Sequence, residues 1–189
     1  MRGVSGFIAG AALAAVLASG AAASGPLPGT KTKKDRAAWR ALLHWPKACE
    51  ETWQDTDFGS GINPWTLPGG RRLVEVTCFR GAYQGVAMYY LVSAAHKVTG
   101  PLVLRTYIDP GSGRLKASGE TRILGLATFT PKTGVLTVFD KFRGPGDCGV
   151  YTAAKLTGSR FVTTEVRAKT ACDGKPPYDP TRWPKLPLP

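Results

Sequence analysis

Cys49, Cys78, Cys148 and Cys172 form an even set in which no two are close enough to make a C-x-x-C pair, and they follow an apolar N-terminal stretch. Widely spaced cysteines constrain a fold most where thiols oxidise. The N-terminus points to such a compartment. Met1 and Arg2 give a short basic start, Val4 to Leu17 is apolar apart from Ser5 and two glycines, and Ala21, Ala22 and Ala23 offer a small-residue cleavage site before Ser24. Residues 1–23 therefore read as a signal peptide. The stretch is built of Ala and Gly rather than Leu and Ile, which argues against a membrane anchor. No cysteine lies near the cleavage site, which argues against a lipid anchor. The expected product is periplasmic or secreted, with no transmembrane span after cleavage.

In that setting disulfides are the expectation, with zinc as the sharper alternative. Zinc lacks a C-x-x-C pair, and His44 and His96 are the only histidines. A redox-active pair lacks the same motif. No metal or other cofactor is expected. Of the three connectivities that four cysteines allow, Cys49 with Cys78 and Cys148 with Cys172 is favoured. The second pair brackets one hairpin: Val150 to Leu156 and Phe161 to Ala168 are strand-like, with a turn over residues 157–160 between them. Each closed loop contributes about 3 to 4 kcal/mol in the chain-entropy account, against a typical total of about 5 to 15 kcal/mol.

About 165 residues remain after cleavage, enough for a core, and no linker divides them. Residues 24–34 read as a flexible basic lead-in, with Pro26, Pro28, Gly29, Lys31, Lys33 and Lys34. Residues 35–189 read as one disulfide-bonded, β-rich domain with a Pro-rich tail. Its single good helix candidate has Asp35 as cap, Trp39, Leu42 and Leu43 at helical spacing, and Pro46 as limit, placing His44 inside the helix. Residues 52–70 are rich in Gly and Pro and read as a structured loop held by Trp53, Phe58 and Trp65.

From Arg71 the pattern changes to β. Val74, Val76 and Cys78 alternate with Glu75 and Thr77, Val86 to Val92 is apolar on both faces, and Leu102 to Ile108 alternates up to the turn at Asp109, Pro110 and Gly111. Arg122 to Thr128 and Val135 to Phe139 follow. With the last hairpin this predicts six to eight short strands, a mainly β antiparallel sandwich or barrel with one N-terminal helix and two disulfides. The tail, from Pro176 to Pro189, is expected to lie across the sheet through Trp183 without extending it.

The runs Leu73-Val74-Glu75-Val76-Thr77-Cys78-Phe79-Arg80-Gly81-Ala82-Tyr83-Gln84 and Arg143-Gly144-Pro145-Gly146-Asp147-Cys148-Gly149 resemble the secreted bacterial family of unknown function numbered 1176. The similar family pattern is a strand into Cys, then Gly-Ala-Tyr-Asn, a hairpin into Arg-Gly-x-Gly-Asp-Cys-Gly, and a last Cys followed by Asp or Arg and Gly, supplied here by Cys172, Asp173 and Gly174. The resemblance covers about Arg71 to Trp183. It departs at Gln84, where the family has Asn, and around Ala153 and Ala154, where aromatics are replaced. Fuller members carry a further N-terminal region that this chain is expected to lack. The resemblance implies an exported proteobacterial protein and carries no activity with it.

The best candidate binding surface joins Arg80, Tyr83 and Gln84 of one bend to Arg143, Gly144, Gly146 and Asp147 of the glycine-rich loop. Glycines let backbone amides approach a ligand, and an arginine fork suits carboxylate or phosphate. The structural alternative is a tight turn in which Arg143 pairs with Asp147 or Glu75. The formal net charge is +12, or +11 once Arg2 is removed, so an anionic envelope component or an acidic protein is the expected partner. No nucleic-acid motif occurs. The expected function is non-catalytic binding, or association with the cell envelope. The alternatives are an envelope hydrolase using a carboxylate pair among Glu75, Asp147 and Glu165, and a periplasmic enzyme inhibitor. A Ser-His-Asp triad finds no support around His44 or His96, and G-x-S-x-G is absent.

Overall fold

The computed structural model describes residues 26–53 and 59–189, in which two short helices lead into ten strands. The segment 1–23, read from the sequence as a signal peptide, and Phe58 lie outside the described residues. Helix α1 (Lys33–Leu43) opens with a capping box: the Asp35 N–H donates to Thr32 Oγ1 at 3.1 Å and the Thr32 N–H donates to the Asp35 carboxylate at 2.9 Å. Thr32 rather than Asp35 is thus the N-cap, and Lys33 and Lys34 form the first turn instead of the lead-in. His44 ends α1 in the left-handed region at φ 54 rather than lying within it. The lead-in is tied down by Trp39 Nε1 donating to Gly29 O at 2.8 Å and Ser60 Oγ donating to Thr30 O at 2.6 Å. Helix α2 (Lys47–Glu51) follows Pro46.

The strands are β1 (Ile62–Thr66), β2 (Arg72–Arg80), β3 (Gly85–Val92), β4 (Val98–Thr99), β5 (Leu104–Ile108), β6 (Lys116–Glu120), β7 (Ile123–Thr130), β8 (Val135–Lys141), β9 (Gly149–Thr157) and β10 (Arg160–Lys169). Seven pair antiparallel in the order β1-β2-β3-β7-β8-β9-β10, with β4 beside β3, while β5 and β6 make a separate hairpin. Three of these strands escape a search for alternation. β1 contains Pro64, which its edge position tolerates, so a segment rich in Gly and Pro pairs with β2 instead of remaining a loop. β4 is two residues long, and β6 reads Lys-Ala-Ser-Gly-Glu with no apolar face.

β3 and β7 pair over only three residues, from Gly85 opposite Gly125 to Ala87 opposite Ile123. Gly125 has φ 136, and a Cβ there would sit 2.8 Å from Phe139 O, so a side chain is excluded where the sheet turns. Beyond the turn the two halves pack against each other. Leu73, Tyr89 and Leu91 of the first half share a core with Phe129, Leu136, Val138, Ala154 and Phe161 of the second. Tyr89 meets Phe161 edge-on at 5.7 Å, and Trp65 meets Phe129 at 5.3 Å.

The helices cover the opposite face of β1–β3: Trp39, Leu43 and Trp45 cluster with Ile62, Val74, Val76, Met88 and Tyr90. There Cys49 of α2 is bonded to Cys78 of β2. Buried Arg36 binds Glu50 through Nε at 3.0 Å and Ser60 O through Nη1 at 2.9 Å, with its guanidinium 4.3 Å from the Trp53 ring and 5.1 Å from that of Trp45.

Cys148 is bonded to Cys172 across the open end of the β9–β10 hairpin, so both disulfides have the pairing expected from the sequence. The tail departs from expectation. Trp183 is buried, donates Nε1 to Pro177 O at 2.7 Å and meets Phe139 edge-on at 5.4 Å, yet the tail also extends the sheet by one bridge, Arg167 to Lys185. Leu186 retains an N–H and donates it to Val166 O at 2.9 Å. The flanking prolines limit the extension to this short piece.

Candidate functional site

The glycine-rich loop between β8 and β9 satisfies its polar groups internally. Arg143 Nε and Nη2 donate to the two carboxylate oxygens of Asp147 at 2.8 and 2.6 Å, and the Gly174 N–H donates to the same carboxylate at 2.7 Å. Asp147 is 1% exposed and Arg143 45%. The Arg143 hydrogen bonds, helped by the Gly174 N–H and opposed by burial, hold the Asp147 carboxyl well below the usual range. A Cβ at Gly144 would lie 3.2 Å from the Tyr83 ring, and one at Gly146 would lie 3.2 Å from the Lys141 side chain. The Gly146 N–H donates to Arg143 O, and the Phe142 N–H to Cys148 O. The glycines therefore admit the protein's own side chains. Arg143 pairs with Asp147 and not with Glu75, which accepts from Asn63 Nδ2 at 3.0 Å and Tyr89 Oη at 2.7 Å.

The bend and the loop adjoin. Together Tyr83, Gln84, Arg143 and Gly144 border a depression of about 320 Å³, while exposed Arg80 borders a neighbouring open groove with Tyr83 and Gln84. Gln84 has the most specific role. Its Oε1 accepts the Lys141 N–H at 2.8 Å, and its Nε2 donates to Lys141 O at 3.3 Å and to Asp140 Oδ1 at 3.2 Å. The carboxamide thus pairs with β8 as a strand's peptide would. An Asn at this position would be one methylene shorter.

Next to Gln84, the β5–β6 hairpin stands over β7–β9 and encloses a cavity of about 440 Å³. Leu104, Ile123, Val138 and Val150 supply its apolar wall. At its buried end Thr106 Oγ1 and Thr152 Oγ1 share a hydrogen bond of 2.6 Å. Glu120 and exposed Arg122 stand nearer solvent. Asp140 enters this lining because β8 turns Leu136, Val138 and Asp140 to the same side. The backbone beneath it depends on Gly149: φ is 150, and a Cβ there would lie 2.1 Å from Asp140 O. The glycine that ends the Asp-Cys-Gly motif therefore allows the close strand approach that seats Asp140.

Asp140 accepts one hydrogen bond, from Gln84. Burial pushes its carboxyl up to about 6 despite that bond. The carboxylates singled out in the sequence do not converge on the cavity. Glu75 and Asp147 are engaged as described, and Glu165 accepts from Arg167 Nε at 2.8 Å with Lys185 Nζ 3.3 Å away. Among the described residues no three His, Cys, Asp or Glu side chains are grouped to hold a metal ion. Asp140, Glu120, Thr106 and Thr152 are the lining residues that motif reading missed. For Asp140, Thr106 and Thr152 the signal is a polar residue at an inward position of a strand whose other inward residues are apolar, seen in β8 once the strand is followed past Phe139; Glu120, in β6, carries no such signal.

Fold and site together define a disulfide-braced antiparallel β protein with a partly open cavity of mixed polarity. Residues 11–186 match the family described as protein of unknown function (DUF1176), and the chain belongs to that family. The match extends the motif-bearing region toward the N-terminus. No curated protein and no solved structure matches the chain.

Proposed function

We propose that this chain is an exported, non-catalytic binding module that holds a small ligand in the cavity between the β5–β6 hairpin and strands β7–β9. The observation that carries this reading is the cavity itself, about 440 Å³ with an apolar wall and a few inward polar groups, which is the usual make-up of a small-molecule site. Export is supported by the signal-like segment before Ser24 and by the pairing of all four cysteines. Among the described residues no helix is long and apolar enough to cross a membrane. The anion site in the glycine-rich loop has less support, because the Arg143 fork is occupied by Asp147.

A neutral fluorescent probe, N-phenyl-1-naphthylamine, tests the cavity. Saturable enhancement by the wild type that is lost in Ile108→Trp, a part-buried lining position, is the expected result. Equal enhancement by both proteins would place the probe elsewhere and count against the reading.

The hydrolase alternative keeps one specific observation, that Asp140 and Glu120 line the same cavity. A carboxyl pushed up to about 6 suits a general acid. Release of reducing ends from a cell-wall glycan, abolished by Asp140→Asn, would favour that reading over binding.

A further inference from the structure

The ligand class follows from which charges face the cavity and which do not. Asp109 borders the cavity but accepts the N–H groups of Gly111, Ser112 and Gly113 on a single oxygen, as part of its own turn. Lys141 also borders it, yet its ammonium lies 5.8 Å from the Phe139 ring and its stem packs on Gly146, on the other face of β8 from Asp140. Arg122 is exposed at the opening. Thr106 and Thr152 share one hydroxyl hydrogen bond, Thr106 Oγ1 also lies 3.5 Å from Tyr107 O, and Gln84 offers Asp140 a single neutral donor. Glu120 accepts from Ser118 Oγ. The protein as a whole is strongly basic, yet among the described residues neither Asp140 nor Glu120 forms an ion pair.

We infer that the cavity binds a small organic cation, an ammonium group on an apolar body, with Asp140 as its counter-ion and Glu120 nearer the opening. This rests on the reading of the cavity as a ligand site and adds the ligand's charge. A part-buried carboxylate with one neutral donor lacks the charge-assisted bonds that such groups normally take, and an ammonium supplies them. The apolar body contacts Leu104, Ile123, Val138 and Val150. An anion of the same shape meets two carboxylates and is disfavoured. The elevated Asp140 carboxyl agrees, because burial without a cation raises it and a bound cation would lower it. The polar and charged groups that line the cavity with Asp140 are Gln84 from the bend, Thr106 and Tyr107 from β5, Asp109 after it, Glu120 from β6, Arg122 before β7, Lys141 of β8 and Thr152 from β9. Asp140 is the one among them whose carboxyl burial raises toward neutrality. Cation binding therefore weakens as pH falls through about 6.

The experiment is a titration of the ¹⁵N-labelled, disulfide-bonded protein with n-hexylammonium and, separately, with hexanoate at pH 7.5, followed by amide shifts of Thr106, Asp140 and Thr152. The expected result is saturable shifts with hexylammonium and none with hexanoate. Affinity should drop about tenfold or more in Asp140→Asn, and similarly for the wild type at pH 5. Equal binding of both probes, insensitive to pH and to Asp140→Asn, would overturn the cation assignment while leaving the cavity a ligand site. Shifts from neither probe, together with no effect of the neutral fluorescent probe, would overturn both. If Asp140→Asn does not fold, the pH dependence of the wild type and the Glu120→Gln variant decide the same question.

Discussion

Asp140 near the end of β8 and Asp147 in the loop that follows it lie seven residues apart, and the protein treats them in opposite ways. Asp147 receives both prongs of Arg143 and the Gly174 N–H, and its carboxyl falls well below the usual range. Asp140 receives one amide and is pushed up to about 6. Both sit inside the protein, so burial alone does not separate them. The number and charge of the donors does. Asp147 thereby braces the loop against the segment after Cys172, whereas Asp140 keeps accepting capacity directed at a cavity. A residue in a conspicuous motif can thus have its hydrogen-bonding capacity taken up internally while an unmarked neighbour keeps its own.

The largest test of this contrast removes the brace. Cys148→Ser with Cys172→Ser should cost about 3 to 4 kcal/mol in urea unfolding. In the same variant the Gly174 amide should lose its protection from hydrogen exchange. Retained protection would mean that Asp147 does not depend on the bridge. Next, Asp140→Asn should gain stability at pH 8. Its folded value lies above the unfolded one, so the folded state binds the extra proton between about 4 and 6, and wild-type stability declines as pH rises through that window. Solvent screening at this partly exposed carboxyl holds the gain to about 1 to 2 kcal/mol above pH 7, and it vanishes below about pH 4. No gain at pH 8 would make Asp140 as well partnered as Asp147.

Asp147→Asn should act in the opposite direction. Its folded value is depressed, so its contribution is complete above about pH 4 and is lost as pH falls toward that folded value. Urea midpoints of wild type and variant should therefore converge in acid; a constant gap from pH 7 to pH 2 would remove the ion pair from the account. The smallest effect belongs to Tyr83→Ala. The ring is 64% exposed, and its loss should cost under about 1 kcal/mol and leave both carboxyl titrations in place. A large loss would mean that Tyr83 holds the bend and the loop together.

The β class and the disulfide frame were legible because period-two alternation and paired cysteines are local signals, clear in β2, β3 and the β9–β10 hairpin. β1 and β6 were not, since edge pairing through Pro64 and a hairpin strand of Lys, Ala, Ser, Gly and Glu leave no apolar alternation to read. Gln84 and the motif glycines were visible as unusual residues, but their roles depend on contacts such as that between Gln84 and β8, 57 residues further on. The cavity was illegible for the same reason. It needs the Gly85–Gly125 turn of the sheet to bring β5, β8 and β9 around one space, and no single segment records that.

The most direct test follows both aspartate carboxyl carbons through one pH titration by ¹³C NMR, with and without saturating n-hexylammonium. The account predicts a midpoint near 6 for Asp140 that moves down when the cation binds, and a midpoint for Asp147 below the ordinary range that does not move. Two ordinary midpoints near 4, both indifferent to the cation, would contradict it.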